Sequence, residues 1–196
     1  MPVRIDLANT ALGHVGEGHL IANLATDRTP AGIAIKRFYD QTRSSMFAEH
    51  DWQFARRTTT LTGYSPAPDT WGYAYLQPSG CASVRALLSG GMVVDYGLGG
   101  STSATGEDVN LILAQVPATH LVWTRDVVEE ARWPADFANA FAWRLAAQVC
   151  RALGKDEATR AVCWEQHGAF MQLARTQDQR QMRQATIQGD YLSARL

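Results

Sequence analysis

WPADFANAFAWRLAAQVCRAL, residues 133–153, is the stretch from which the architecture is read. Phe137, Phe141, Leu145, Val149 and Leu153 recur every four residues, so they fall on one stripe of an α-helix. Pro134 stands just ahead of the stripe, where a missing N–H costs nothing, and Gly154 stands where the stripe stops. Such a stripe needs a partner. The predicted partner is a helix over residues 31–48, with Ala31, Ile35, Phe38, Thr42 and Met46 on one face. Asp27 and Thr29 are its cap candidates, and Pro30 suits its first turn. Residues 3–14 carry Ile5, Ala8 and Leu12 at helical spacing, followed by a turn rich in glycine (Gly13, Gly16, Gly18). Beyond Gly154, Asp156 and Glu157 favour a new helix start through the macrodipole. That helix holds Val162, Phe170 and Leu173. It then loses its stripe, because residues 175–189 (RTQDQRQMRQATIQG) are almost wholly polar. A polar helical stretch is either solvated or waits for a partner.

The middle of the chain changes period. Residues 57–62 (RTTTLT) are rich in β-branched side chains, and Trp71, Tyr73 and Tyr75 alternate with small residues. Residues 81–88, 92–96, 108–114 and 120–124 read as further short strands, and GLGGSTSATGE (97–107) reads as a flexible loop tip. The expected fold is therefore α+β: mainly a helical bundle of N- and C-terminal helices, with a small antiparallel β lobe inserted. Residues 1–56 and 132–175 would form the helical core, 57–131 the β lobe and 176–196 a C-terminal arm.

Composition narrows the function. The chain has 196 residues, 46% of them hydrophobic, enough for a core without disulfides or metals. No apolar run of about 18 residues exists, so no membrane span is expected. The start, MPVRIDLANTALG, carries Asp6 and no long apolar segment, so no secretory leader is expected. Net charge is −1, which argues against a general polyanion binder. Sixteen of the eighteen basic residues are Arg. That bias suits large interfaces, where Arg makes bidentate pairs. It suits a GC-rich genome equally, as the 29 Ala suggest. Cys81, Cys150 and Cys163 show no CxxC spacing, so neither a disulfide framework nor a zinc site is read.

Few residues point to chemistry. Gly97, Gly99, Gly100 and Gly106 lack the Lys-Ser/Thr of a phosphate loop. Cys163 and His167, four apart on a helix, are half of a metal site without a second pair. Glu49 with Asp51, Glu107 with Asp108, and Glu129 with Glu130 are sequence neighbours, which usually point apart, whereas a glycosidase needs two acids across a cleft. No catalytic residue, metal ligand or cofactor is assigned. The one charge cluster is Arg175, Arg180 and Arg183, a solvated face or a contact for an acidic partner or DNA phosphates.

The order of motifs carries more. An early helix has Ala11, Leu12 and Gly16; the next has Tyr39, Asp40 and Arg43 as YDxxR. Trp52, Phe54, Ala55, Arg56 and Arg57 follow as WxFARR, then WGYAYLQP (71–78), then WPxxFxxAFAWRLAA from Trp133 to Ala147. In this order the chain resembles the tail tubular protein A family of podoviruses, the head-to-tail adaptors or connectors, over roughly residues 5–155. The resemblance implies a structural virion protein and not an enzyme. It implies a dodecameric ring in the neck of a short-tailed phage, assembled in the host cytoplasm. That ring joins the portal protein to the tail nozzle protein and continues the channel through which double-stranded DNA passes without sequence-specific binding. On this reading Tyr39, Asp40, Arg43, Trp52, Phe54, Trp133, Phe137 and Phe141 are structural. Arg175, Arg180, Arg183, Tyr191 and Leu192 form the candidate portal contact. Two rivals remain at this point: a cell-wall hydrolase of the virion, separable by zymography, and a nucleic-acid-binding oligomer, separable by salt-dependent DNA affinity.

Overall fold

The computed structural model describes residues 3–65, 67, 70–103 and 106–193, with 182–193 described by backbone alone. The order is α1 (Arg4–His14), α2 (Pro30–Glu49), β1 (Arg56–Thr60), β2 (Gly63–Tyr64), β3 (Tyr73–Leu76), β4 (Cys81–Ser89), β5 (Met92–Val94), β6 (Gly97–Thr102), β7 (Asp108–Ala114), β8 (His120–Arg125), α3 (Ala135–Ala152) and α4 (Glu157–Ser193). A single 3-10 turn, Glu130–Arg132, precedes α3. The chain divides into two units, Met1–Phe54 with Val127–Leu196, and Ala55–Asp126.

In the first unit, local chemistry fixes the helix ends. The Thr29 hydroxyl accepts from the Gly32 N–H at 3.1 Å, with Pro30 in the first turn of α2. Asp27 in turn accepts from the Thr29 N–H at 2.8 Å and its hydroxyl at 2.6 Å. His19 Nε2 lies 2.8 Å from its other carboxylate oxygen, and that bond first, then the two from Thr29, lowers the Asp27 pKa to about 2. A Cβ at Gly32 would run into that carboxylate. α3 ends in a Schellman turn: Lys155 N–H donates to Cys150 O at 3.0 Å and Gly154, at φ 67°, donates to Arg151 O at 3.2 Å. Asp156 caps α4 by accepting from the Thr159 N–H at 2.7 Å.

α3 is the hub of this unit. Ten of its eighteen residues are buried, so it is covered on more than its phenylalanine stripe. α2 meets it through Tyr39 against Phe141, and Thr42 Oγ1 donates to Gln148 Oε1 at 3.0 Å. α1 meets it through His14, stacked on Trp143 with ring centroids 3.5 Å apart. α4 meets it where His167 bonds Ala140 O. Buried Ala138, Ala140, Ala142, Ala146 and Ala147 let these helices approach closely.

The second unit is two four-stranded antiparallel sheets, ordered β1-β8-β4-β5 and β2-β3-β7-β6. Tyr75, Ile112 and Ala114 from one sheet pack with Val84, Leu87, Leu121 and Trp123 from the other, so their inner faces enclose a core. A second cluster, Ala74, Leu111 and Leu113, lies on the opposite face of β3 and β7 under Tyr64, Trp71 and Leu76. β4 and β5 form a hairpin in which Ser89 pairs with Met92 across Gly90 and Gly91, at φ 56° and 85°. Positive φ at both central residues makes a type I′ turn, for which glycine suits both positions.

Two expectations from the sequence are corrected. The fold is α+β, but not a helical bundle with a small inserted lobe. The strand region is a double sheet with its own core. The helices do not form a bundle of N- and C-terminal helices: α1, α2 and α4 each pack on α3, and α1 and α2 touch little. The second correction explains part of the first. Residues 97–102 of the supposed loop form β6, paired with β7 from Gly97↔Leu113 to Thr102↔Asp108. Its glycines serve close approach. A Cβ at Gly97 would lie 2.9 Å from the Trp71 ring, and one at Gly99 2.9 Å from Leu113 Cδ1. Beyond Thr102, Gly106 N–H donates to Ser103 O at 2.9 Å.

Candidate functional site

The YDxxR residues form a network at one side of α2. Tyr39 is fully buried, and its hydroxyl donates to Glu130 Oε1 at 3.1 Å. The Arg4 guanidinium lies 4.3 Å from its ring centroid. Burial first, then the charge of Glu130, pushes the phenol far above its ordinary range, so it stays a neutral donor. Asp40 accepts from Arg43 Nη1 at 2.6 Å on its own helix and from Arg4 Nη2 at 3.0 Å across to α1. The Asp40 side chain is 57% exposed, so these pairs contribute little stability by themselves. They register α1 on α2.

The aromatic residues of WxFARR and WPxxF converge. Phe137 sits at the centre, with ring centroids 4.9 Å from Trp52, 5.0 Å from Phe47, 5.2 Å from Phe54 and 5.2 Å from Trp133. Phe141 continues the cluster to Trp133 at 5.0 Å and to Tyr39 at 4.9 Å. Both buried indoles are satisfied: Trp52 Nε1–H donates to Met46 O and Trp133 Nε1–H to Val127 O, each at 2.9 Å. Phe54 is only half-buried. The groove it lines with Trp52, Phe137 and Asp178 has about 20 Å³, room for a water-sized occupant and no larger ligand.

α4 carries its contacts on one stripe: Cys163, His167, Met171, Ala174 and Asp178 are all buried. His167 Nδ1–H donates to Ala140 O at 2.9 Å, and burial lowers its pKa. Cys163 lies against the Cys150 thiol, and burial pushes it up to about 11. The Cys163–His167 spacing thus seats α4 on α3. Among the described residues no cluster of three His, Cys, Asp or Glu could hold a metal.

Asp178 is the group that sequence reasoning missed, since it sits within a polar run. It is 6% exposed, accepts from the Gln53 N–H at 2.7 Å, and lies 3.3 Å from His50 Nε2. Burial raises its pKa against the pull of those two bonds. The helical spacing of Ala174 and Asp178 from Met171 was a signal, hidden because the last position is charged.

Of the candidate portal contact, Arg175 and Arg180 are exposed on α4. The side chains of Arg183, Tyr191 and Leu192 lie outside the described residues. Among the neighbouring acids, Glu49 accepts from Arg144, Glu129 pairs with Arg132 at 3.1 Å, and Glu130 accepts from the Tyr39 hydroxyl. No helix among the described residues is long and apolar enough to cross a membrane. No family model matches the chain, and no curated protein matches it.

Proposed function

We propose that this chain is a structural head-to-tail adaptor of a short-tailed phage, a subunit of a ring that joins portal to tail nozzle and continues the DNA channel. The observation that carries this reading in the fold is α4. Asp178 is buried, Gln179, Arg180 and Gln181 after it are exposed, and the helix backbone continues to Ser193. Fifteen further residues reach about 22 Å at 1.5 Å per residue. The order of motifs supplies the rest. An adaptor must grip a ring already in place, and a terminal helix with Arg175 and Arg180 exposed can present guanidinium groups to acidic residues of a groove between portal subunits. Ring closure requires two different complementary faces on each subunit.

Negative-stain imaging of the full chain mixed with the portal of the same phage tests the reading. The expected result is a ring stacked coaxially on the portal. Portal particles with no added density would end it. Truncation after Gln181 tests the arm separately and leaves the Asp178 contacts in place. That chain keeps Arg175 and Arg180, so it is expected to fold and to bind portal more weakly than the full chain; full binding would remove residues 182–196 from the reading.

A further inference from the structure

Each unit carries one apolar surface feature. At the tip of the β4–β5 hairpin, Met92 is 74% and Val93 72% exposed. Successive strand residues face opposite sides, so Met92 and Val93 leave both faces of the hairpin end apolar and exposed. On the helical unit, Ile5, Leu24 and Ala25 line a cleft of about 440 Å³, with Arg4 and Lys36 in its wall. Exposed Val3 beside Arg4, and Ile33 one turn before Lys36, carry the apolar surface outward. The charges match as well. Lys36 donates from Nζ to the Asp27 carbonyl oxygen at 2.7 Å and has no ion pair among the described residues. Asp95, directly after β5, is exposed and likewise has no ion pair among the described residues.

We infer that the β4–β5 tip of one copy docks in the α1–α2 cleft of a second copy, Met92 and Val93 entering the apolar part and Asp95 meeting Lys36. A knob and a cleft at different places on one chain make a heterologous contact, the kind that closes into a ring or runs on as a filament. This rests on the ring reading above and names the two faces that reading needs. The charged pair sets register, and the apolar pair supplies most of the attraction.

Sedimentation velocity over a concentration series of the full chain reads the association. Met92→Asp with Val93→Asp is expected to weaken it at least tenfold, with an unchanged circular dichroism spectrum because both side chains are exposed. Asp95→Lys and Lys36→Glu are each expected to weaken it alone. Mixing those two variants is expected to restore it, since every contact between unlike copies then pairs opposite charges. Wild-type association by the Met92/Val93 variant, or no recovery on mixing, overturns the docking while leaving a ring through other faces intact. A wild-type chain that stays monomeric at every concentration and on the portal overturns the docking and the ring reading together.

Discussion

Replacing Phe137 with Ala removes the ring on which the helical unit converges. The side chain is 1% exposed, and its four aromatic neighbours come from three segments. Phe47 belongs to α2, Trp52 and Phe54 follow it, and Trp133 precedes α3. Phe→Ala in a core costs about 3–5 kcal/mol, more where the surroundings cannot collapse into the space. Here collapse would need three separately anchored segments to move, and both indoles are tied by hydrogen bonds to backbone carbonyls. The expected loss is therefore about 4–5 kcal/mol, in the upper half of that range. Typical domains have only about 5–15 kcal/mol in total, so the variant should unfold at a much lower urea concentration. Equilibrium urea unfolding followed by near-ultraviolet circular dichroism reads the change, with Phe137→Leu as a variant that keeps part of the volume and loses clearly less. A loss under about 1 kcal/mol at unchanged m would refute the placement of this ring at the centre of the core.

Four further outcomes follow from the same geometry. Burial raises the Asp178 carboxyl above its ordinary 3.8, so the folded chain holds a proton that the unfolded chain has released, and stability falls as pH rises from 3.8 through the raised value. Asp178→Asn should flatten that slope while keeping an acceptor for Gln53, whereas Asp178→Ala should cost about 1–3 kcal/mol by stranding the Gln53 N–H; a pH–stability series compares them. Burial lowers His167 and His14 below 6.5, so the unfolded chain takes up protons first on acidification and stability is lost below that pH. His167→Gln should weaken this decline, and an unchanged acid limb in thermal melts would contradict it. Tyr39→Phe should cost about 1–2 kcal/mol in urea by removing the bond to Glu130, and a neutral result would mean that bond is not kept in solution. Cys150 and Cys163 are fully buried with raised pKa, so an aromatic disulfide reagent should modify Cys81 first in the native chain; equal rates for all three thiols would contradict the packing of α3 on α4.

The sequence by itself determined the local elements. A four-residue apolar repeat marks the α3 stripe, and Thr29, Pro30, Gly154 and Asp156 mark helix ends, because these signals act over a few residues and depend on backbone stereochemistry alone. Alternation at Trp71, Tyr73 and Tyr75 marked β3, and the β-branched run at 57–62 marked β1, for the same reason. Tertiary structure decided the rest. The glycines of 97–102 read as a loop because glycine has no local strand preference. Only the positions of Trp71 and Leu113, brought over them by the β6–β7 pairing, show why a Cβ is excluded there. Asp178 read as one more charge in a polar helix, because its partners Gln53 and His50 lie more than a hundred residues away in the chain. The alanines of α3 carried no periodic signal of their own, yet they let three helices share one hub, since how closely helices approach is fixed by the small side chains between them.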